Sequence, residues 1–141
     1  MANILYPKFK QNVQKGLIDL LTDTVMACLV DTAVYTYAAA DEFLESISQI
    51  GSPAQDARVG TDQELTGKSS SAAGVFDAAD VTFPAVIGAT VERVVIYVAV
   101  GSPPTYYLAA LIDTAGGLPL TPSGGDVVVT WDNGANKIWA L

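Results

Sequence analysis

Fifteen carboxylates, one thiol and no imidazole make up most of the reactive inventory of this chain. Without histidine, both the usual general base and the usual neutral metal ligand are missing, so any acid–base or metal chemistry would fall to aspartate and glutamate. The most suggestive local gathering of oxygen ligands is "DNGAN", Asp132 to Asn136. A helix-loop-helix calcium site needs oxygens at alternate positions, glycine at the sixth and a bidentate glutamate at the twelfth. Here glycine stands at the third position and Leu141 is the tenth residue, so that pattern is not met. The same residues satisfy a turn, because Asp and Asn bond their own backbone and, with Gly, tolerate positive φ. That reading predicts a closing hairpin with Val127, Val129 and Trp131 on one arm and Ile138, Trp139 and Leu141 on the other.

The remaining candidates for chemistry read the same way. A glycosidase needs two carboxyl groups across a cleft, whereas Asp23, Asp31, Asp113, Asp126 and Asp132 fall at strand ends and turns, where capping explains them. Ser69, Ser70 and Ser71 have no base nearby to activate a hydroxyl. Cys28 lies in "VMACLV", the setting of a buried small apolar residue; one cysteine makes neither an internal disulfide nor a thiolate zinc site. No Walker loop, dinucleotide fingerprint or HExxH motif occurs, and the paired glycines of "TAGG" and "SGGD" are not followed by helices. A non-enzymatic protein without metal or cofactor is the expectation.

Stepping out from these residues, the elements that hold them form one β-rich domain. Thr24–Val30 is β-branched and apolar between two aspartates, a buried strand. Val91 to Val100 is apolar on both alternating sides, as a central strand between two layers must be. "GSPP" then turns the chain and "TYYLAALID" returns it. Short extended pieces are expected at Ala57–Val59, Gln63–Thr66, Val75–Phe76 and around Val81, Phe83 and Ala85, with "SSSAAG" as a mobile surface segment. Two short helices complete the inventory. One starts after Pro7 with Phe9 and Val13 on a face and Gly16 as its stop; the other is capped by Asp41, carries Phe43, Leu44, Ile47 and Ile50, and ends at Gly51 and Pro53. The class predicted is mainly β, a β-sandwich or partly open barrel.

Composition moves attention from sites to surfaces. Apolar residues are 50% of the 141 and charged ones 16%, against a usual charged share of about 25%. Some of that apolar excess is expected to meet another subunit, as a dimer or trimer. Residues 1–18 hold Lys8, Lys10 and Lys15 and no acid, while residues 19–141 carry a net charge of −11 within the total of −8. An acidic body does not suit phosphate contacts, which excludes nucleic acid as the expected partner. The chain therefore divides into a basic leader, 1–18, and a single domain, 19–141. The leader reads either as a solvated terminus or as an arm that docks on an acidic neighbour through Tyr6, Lys8, Phe9, Lys10 and Lys15.

The uncharged run Val94 to Ile112 is broken by "GSPP", so no membrane span is expected, and "MANILYPKFKQ" has no apolar stretch of signal-peptide length, so cytosolic synthesis is. Exposed aromatics such as Tyr106, Tyr107 or Trp139 would suit the alternative of a carbohydrate-binding adhesin.

Three stretches, "VDTAVYTY", "GVFDAADVTF" and "IDTAGGLPLTPSGGDVVVTWDNGANKI", are similar to a group of small proteins encoded among the structural genes of tailed bacteriophages, and weaker similarity extends over nearly the whole chain. The resemblance implies a virion structural protein, made in the host cytoplasm and bound to the capsid surface, where it decorates and cements a shell of major capsid protein. A tail or fibre position is the alternative. No catalytic residues are implied.

Overall fold

The computed structural model describes residues 3–48 and 56–141. Its longest strands are the apolar runs seen in the sequence: β2 (Val25–Val30), β7 (Arg93–Val98) and β8 (Tyr107–Ile112). With β1 (Ile4–Leu5) and β3 (Arg58–Glu64) they form an antiparallel sheet of order β1-β8-β7-β2-β3. β7 lies at its centre, and Val94 through Val98 are all buried, which is why the strand is apolar on both sides. A 3-10 turn, Pro103–Thr105, joins β7 to β8 as "GSPP" predicted.

Two smaller sheets lie against this one. β4 (Ser69–Ser70), β5 (Val75–Asp77) and β10 (Trp139–Ala140) form one, in the order β10-β5-β4; β6 (Val81–Phe83) and β9 (Val127–Val129) form the other. One hydrophobic cluster runs through all three sheets, giving a mainly β, sandwich-like fold. Phe76 stacks on Trp139 at 4.5 Å and Phe9 meets the same indole edge-on at 5.6 Å, tying the layers together.

Two helices are present among the described residues, α1 (Pro7–Gln14) and α2 (Glu45–Ser48). α1 begins with Pro7 in its first turn and stops before Gly16 at φ +72°, as its sequence predicts. α2 is shorter than expected. Leu108 N–H donates to the Glu42 carbonyl and Leu44 N–H to that of Tyr106, so Glu42–Leu44 pair alongside β8 and cannot start a helix. Asp41 instead accepts from Tyr35 Oη–H (2.7 Å) and Ala38 N–H (3.1 Å). The expected end of that helix, at Ile50, Gly51 and Pro53, lies outside the described residues.

Three further expectations are corrected. The extended pieces at 57–59 and 63–66 are one strand, β3, whose register against β2 shifts between Ala27 and Leu29, with Gly60 at φ +77° absorbing the irregularity. "SSSAAG" is not a free segment: Ser69–Ser70 is β4, and Gly74 N–H closes a turn onto the Ser71 carbonyl at 2.9 Å. The closing hairpin does not form. β9 pairs with β6 and β10 with β5, so "DNGAN" carries the chain from one small sheet to the other rather than back along itself. The turn chemistry holds, with Gly134 N–H donating to Asp132 Oδ1 at 2.9 Å and Lys137 at φ +49°.

Candidate functional site

Residues 3–18 are built into the body. β1 pairs with β8, Tyr6 N–H donates to the Ala109 carbonyl at 3.0 Å, and Tyr6 and Phe9 are both 0% exposed. Tyr6 and Phe9 therefore are not contact residues of a docking arm; burial makes them the anchors of β1 and α1. Tyr35 spends its proton on Asp41, so Tyr6 must donate to Tyr35, at 2.9 Å. Burial raises the pKa of both phenols well above the ordinary tyrosine value. Of the lysines of the leader, Lys8 and Lys10 lie on α1 and Lys15 follows its last turn; Lys10 and Lys15 are exposed and Lys8 is half-buried.

Beside β1 runs an open groove of about 370 Å³ whose walls include Leu5, Lys10, Ile112, Lys137, Trp139 and Ala140. It separates β1 from β10, the edges of two different sheets. Trp139 is 5% exposed and lies against Phe76 and Phe9, so it does not offer a face to a sugar. Tyr106 and Tyr107 are half-buried, stacked on Tyr97 at 5.9 Å and tilted against Phe43 at 5.7 Å.

A second cluster was not foreseen. Arg58 on β3 bonds Asp56 through Nε (3.1 Å) and Nη2 (2.9 Å) and Asp62 through Nη1 (2.9 Å), while Tyr97 Oη–H donates to Asp62 at 2.6 Å. Residues 58 and 62 lie on either side of the irregularity at Gly60, so no simple alternation in the sequence announces the pair. The fork of a guanidinium between two carboxylates is fully matched, and burial together with the Asp62 bond raises the pKa of Tyr97. Such a clamp fixes β3 across β2 to β7. Cys28, 0% exposed beneath it, has its thiol pKa pushed up by burial, the state of an inert thiol.

The other aspartates are engaged as well. Asp80 accepts Trp131 N–H at 3.0 Å, Asp126 accepts Ala85 N–H at 3.0 Å, and Asp31 accepts Ala33 N–H at 2.8 Å. Asp19 takes the N–H groups of Leu21 and Thr22, Asp23 that of Asp19, and Asp77 that of Ala78; Asp113 faces Arg93 at 3.5 Å. Every aspartate in the chain thus accepts a hydrogen bond. Among the described residues no group of three or more His, Cys, Asp or Glu side chains could hold a metal ion, and no helix is long and apolar enough to cross a membrane.

A scan against protein-family models and a search of curated protein sequences found no match to this chain.

Proposed function

We propose that this chain is a non-enzymatic structural protein of a tailed-bacteriophage particle, a decoration protein that binds the assembled shell of the major capsid protein and associates with copies of itself. The observation that carries the reading is the engagement of every aspartate within the scaffold. A carboxylate held by backbone N–H groups or a guanidinium is a rivet, and a proton shuttle needs one that is free to change state. In a chain without histidine, that favours surfaces as the working parts.

Those surfaces have the features that adhesion to a lattice uses. Leu17, Leu21, Val34, Ile87, Val128 and Leu141 are large apolar residues left exposed, Ile87 by 73%. Exposed Lys10 and Lys15 carry positive charge at the surface of a chain whose residues 19–141 are net acidic, suited to an acidic shell surface. The resemblance of three stretches to phage structural proteins supports a capsid as that lattice. Binding only to the assembled state stabilises it by mass action, and many weak attachments on adjoining capsomers add up.

Shells lacking the protein, heated with and without it added back, test the role. A higher disruption temperature with the protein is expected; no binding, or binding without a shift, refutes cementing. Gold labelling of intact particles separates head from tail, and signal confined to the tail would overturn the capsid assignment.

A further inference from the structure

The connector between β9 and β10 holds an asparagine followed by a glycine, Asn133 and Gly134. The backbone nitrogen that follows an asparagine can attack its side-chain carbonyl and close a five-membered ring, and glycine, without a Cβ, lets that approach happen with the least hindrance. The other asparagines are Asn3, Asn12 and Asn136, and they precede Ile4, Val13 and Lys137. Asn12 is buried, and Asn3 is held by Asp113 N–H, Thr114 N–H and the Thr114 hydroxyl. Asn133 stands apart in both sequence and setting.

Two charged groups flank the pair. Gly134 N–H donates to Asp132 Oδ1 at 2.9 Å, which puts a carboxylate on the proton that must leave before the nitrogen can attack. A Cβ at residue 134 would lie 3.2 Å from Asp132 Oδ2, so glycine also makes room for that carboxylate. Lys137 Nζ, which faces Asp77 at 3.9 Å, donates to Asn133 Oδ1 at 3.4 Å. It stands where negative charge would grow on the amide oxygen during attack. Lys137 is held in place by its own N–H, bonded to the Gly134 carbonyl at 3.2 Å. Asp132 through Asn136 are all exposed, so a ring can close there without displacing the core, while buried Trp131 and Trp139 fix the two ends.

We propose that Asn133 is a site of self-modification, its amide converted to a carboxylate through a cyclic imide formed with the Gly134 nitrogen. Asp132 takes the Gly134 amide proton as the new bond forms from that nitrogen to Asn133 Cγ, and the Lys137 ammonium meets the charge on Oδ1. The bond from Cγ to Nδ2 then breaks, Nδ2 takes the proton from Asp132, and ammonia leaves. Water opens the imide at either carbonyl. Breaking the new bond leaves aspartate; breaking the old peptide bond leaves isoaspartate, with the chain running through the former side chain. Amide and water become carboxylate and ammonia, with nothing oxidised or reduced. The hydrogen bond that withholds Asp132 from an external substrate is the one that aims it at this proton. The product adds one negative charge to a chain already at −8, beside Lys137 and in the connector whose Asp132 and Asn136 line the groove next to β1. Attachment to a shell plays no part in the chemistry.

Incubation of the full folded chain in water enriched in heavy oxygen, followed by peptide mapping with mass spectrometry, tests the site. Residue 133 should exchange an amide for a carboxylate carrying the heavy isotope, as a mixture of aspartate and isoaspartate, while residues 3, 12 and 136 stay amides. The folded chain should react faster than the same chain in denaturant, because only the fold sets Lys137 on Asn133 Oδ1. Asp132→Ala and Lys137→Met should each slow the folded reaction about three- to fivefold, the scale of an exposed charge, and leave the denatured rate nearly unchanged. Asp132→Asn, which keeps the shape and the hydrogen bond without the charge, should slow it as much as Asp132→Ala does. A residue 133 that stays an amide, or a folded rate no higher than the denatured one, overturns the proposal. So do charge variants that react like the parent. Loss of ammonia without uptake of oxygen would mark a Lys137 amide cross-link instead and overturn it too.

Discussion

The large sheet and the two small ones are held by different means. In β2 and β7, six-residue apolar strands pair along their whole length, and Val25, Ala27 through Val30 and Val94 through Val98 are buried. β5, β6, β9 and β10 are two or three residues long, too short for a ladder to hold them. Side chains take over there: Asp80 and the Ala79 carbonyl fix the backbone and indole of Trp131, and Asp126 fixes Ala85 at φ +46°. Continuous burial makes one region, and point fastenings on aromatic anchors make the other.

The severest way to break this contrast is to remove the segment that spans it. Deleting residues 1–15 takes away β1, α1, Tyr6 and Phe9, and with them packing on both the large sheet and Trp139; loss of cooperative melting by circular dichroism is expected. Trp139→Ala should cost about 3–5 kcal/mol in denaturant unfolding, because it empties the stack between Phe76 and Phe9. Ile96→Ala should cost about 2–5 kcal/mol, at the upper end, since its cross-strand partners are Ala27 and Ala110 and cannot fill the void. If Trp139→Ala instead melted the small sheets in a separate transition, the two regions would be independent units and not one core.

Alkaline pH probes the buried phenols on and beside the large sheet. Tyr6, Tyr35 and Tyr97 have folded-state pKa values raised above 10 by burial, so the folded state holds their protons. Their contribution to stability is complete below pH 10 and is lost as pH rises from there through the folded values. Absorbance at 295 nm should show these phenols ionising together with unfolding. A smaller effect belongs to the fastenings: Asp80→Ala strands the Trp131 N–H and should cost about 1–3 kcal/mol. Smallest is Asp19, exposed, with its pKa lowered by the Leu21 N–H and the Thr22 hydroxyl. Its contribution is present above the ordinary carboxyl value of 3.8 and fades as pH falls through the lower folded value. Asp19→Asn should flatten only the acid limb of the stability profile.

The same contrast decides what could be read from sequence. β2 and β7 announce themselves because burial on both faces demands an unbroken apolar run, and "GSPP" had to turn because the next run pairs back at once. "DNGAN" was legible as a turn and misleading as a hairpin, since turn residues specify a local reversal and not which strand waits beyond it. Asp41 and Phe43 had the spacing of a helix start, but the backbone of Glu42 to Leu44 found partners at Tyr106 to Leu108, a contact more than sixty residues away that no local pattern encodes. The leader failed for a related reason. Its lysines drew the whole segment into one surface reading, while Tyr6 and Phe9 beside them belong to the core.

Cys28 sits at 0% exposure on β2, and its thiol is held in the unreactive protonated form. With one cysteine in the chain, an alkylating reagent has a single target, and that target comes into reach only when the middle of the large sheet opens. The rate at which native protein takes up such a label is therefore a clock for global opening. Run on free protein and on protein bound in an assembly, it would read how far partners slow the breathing of the centre without any probe being added to the surface.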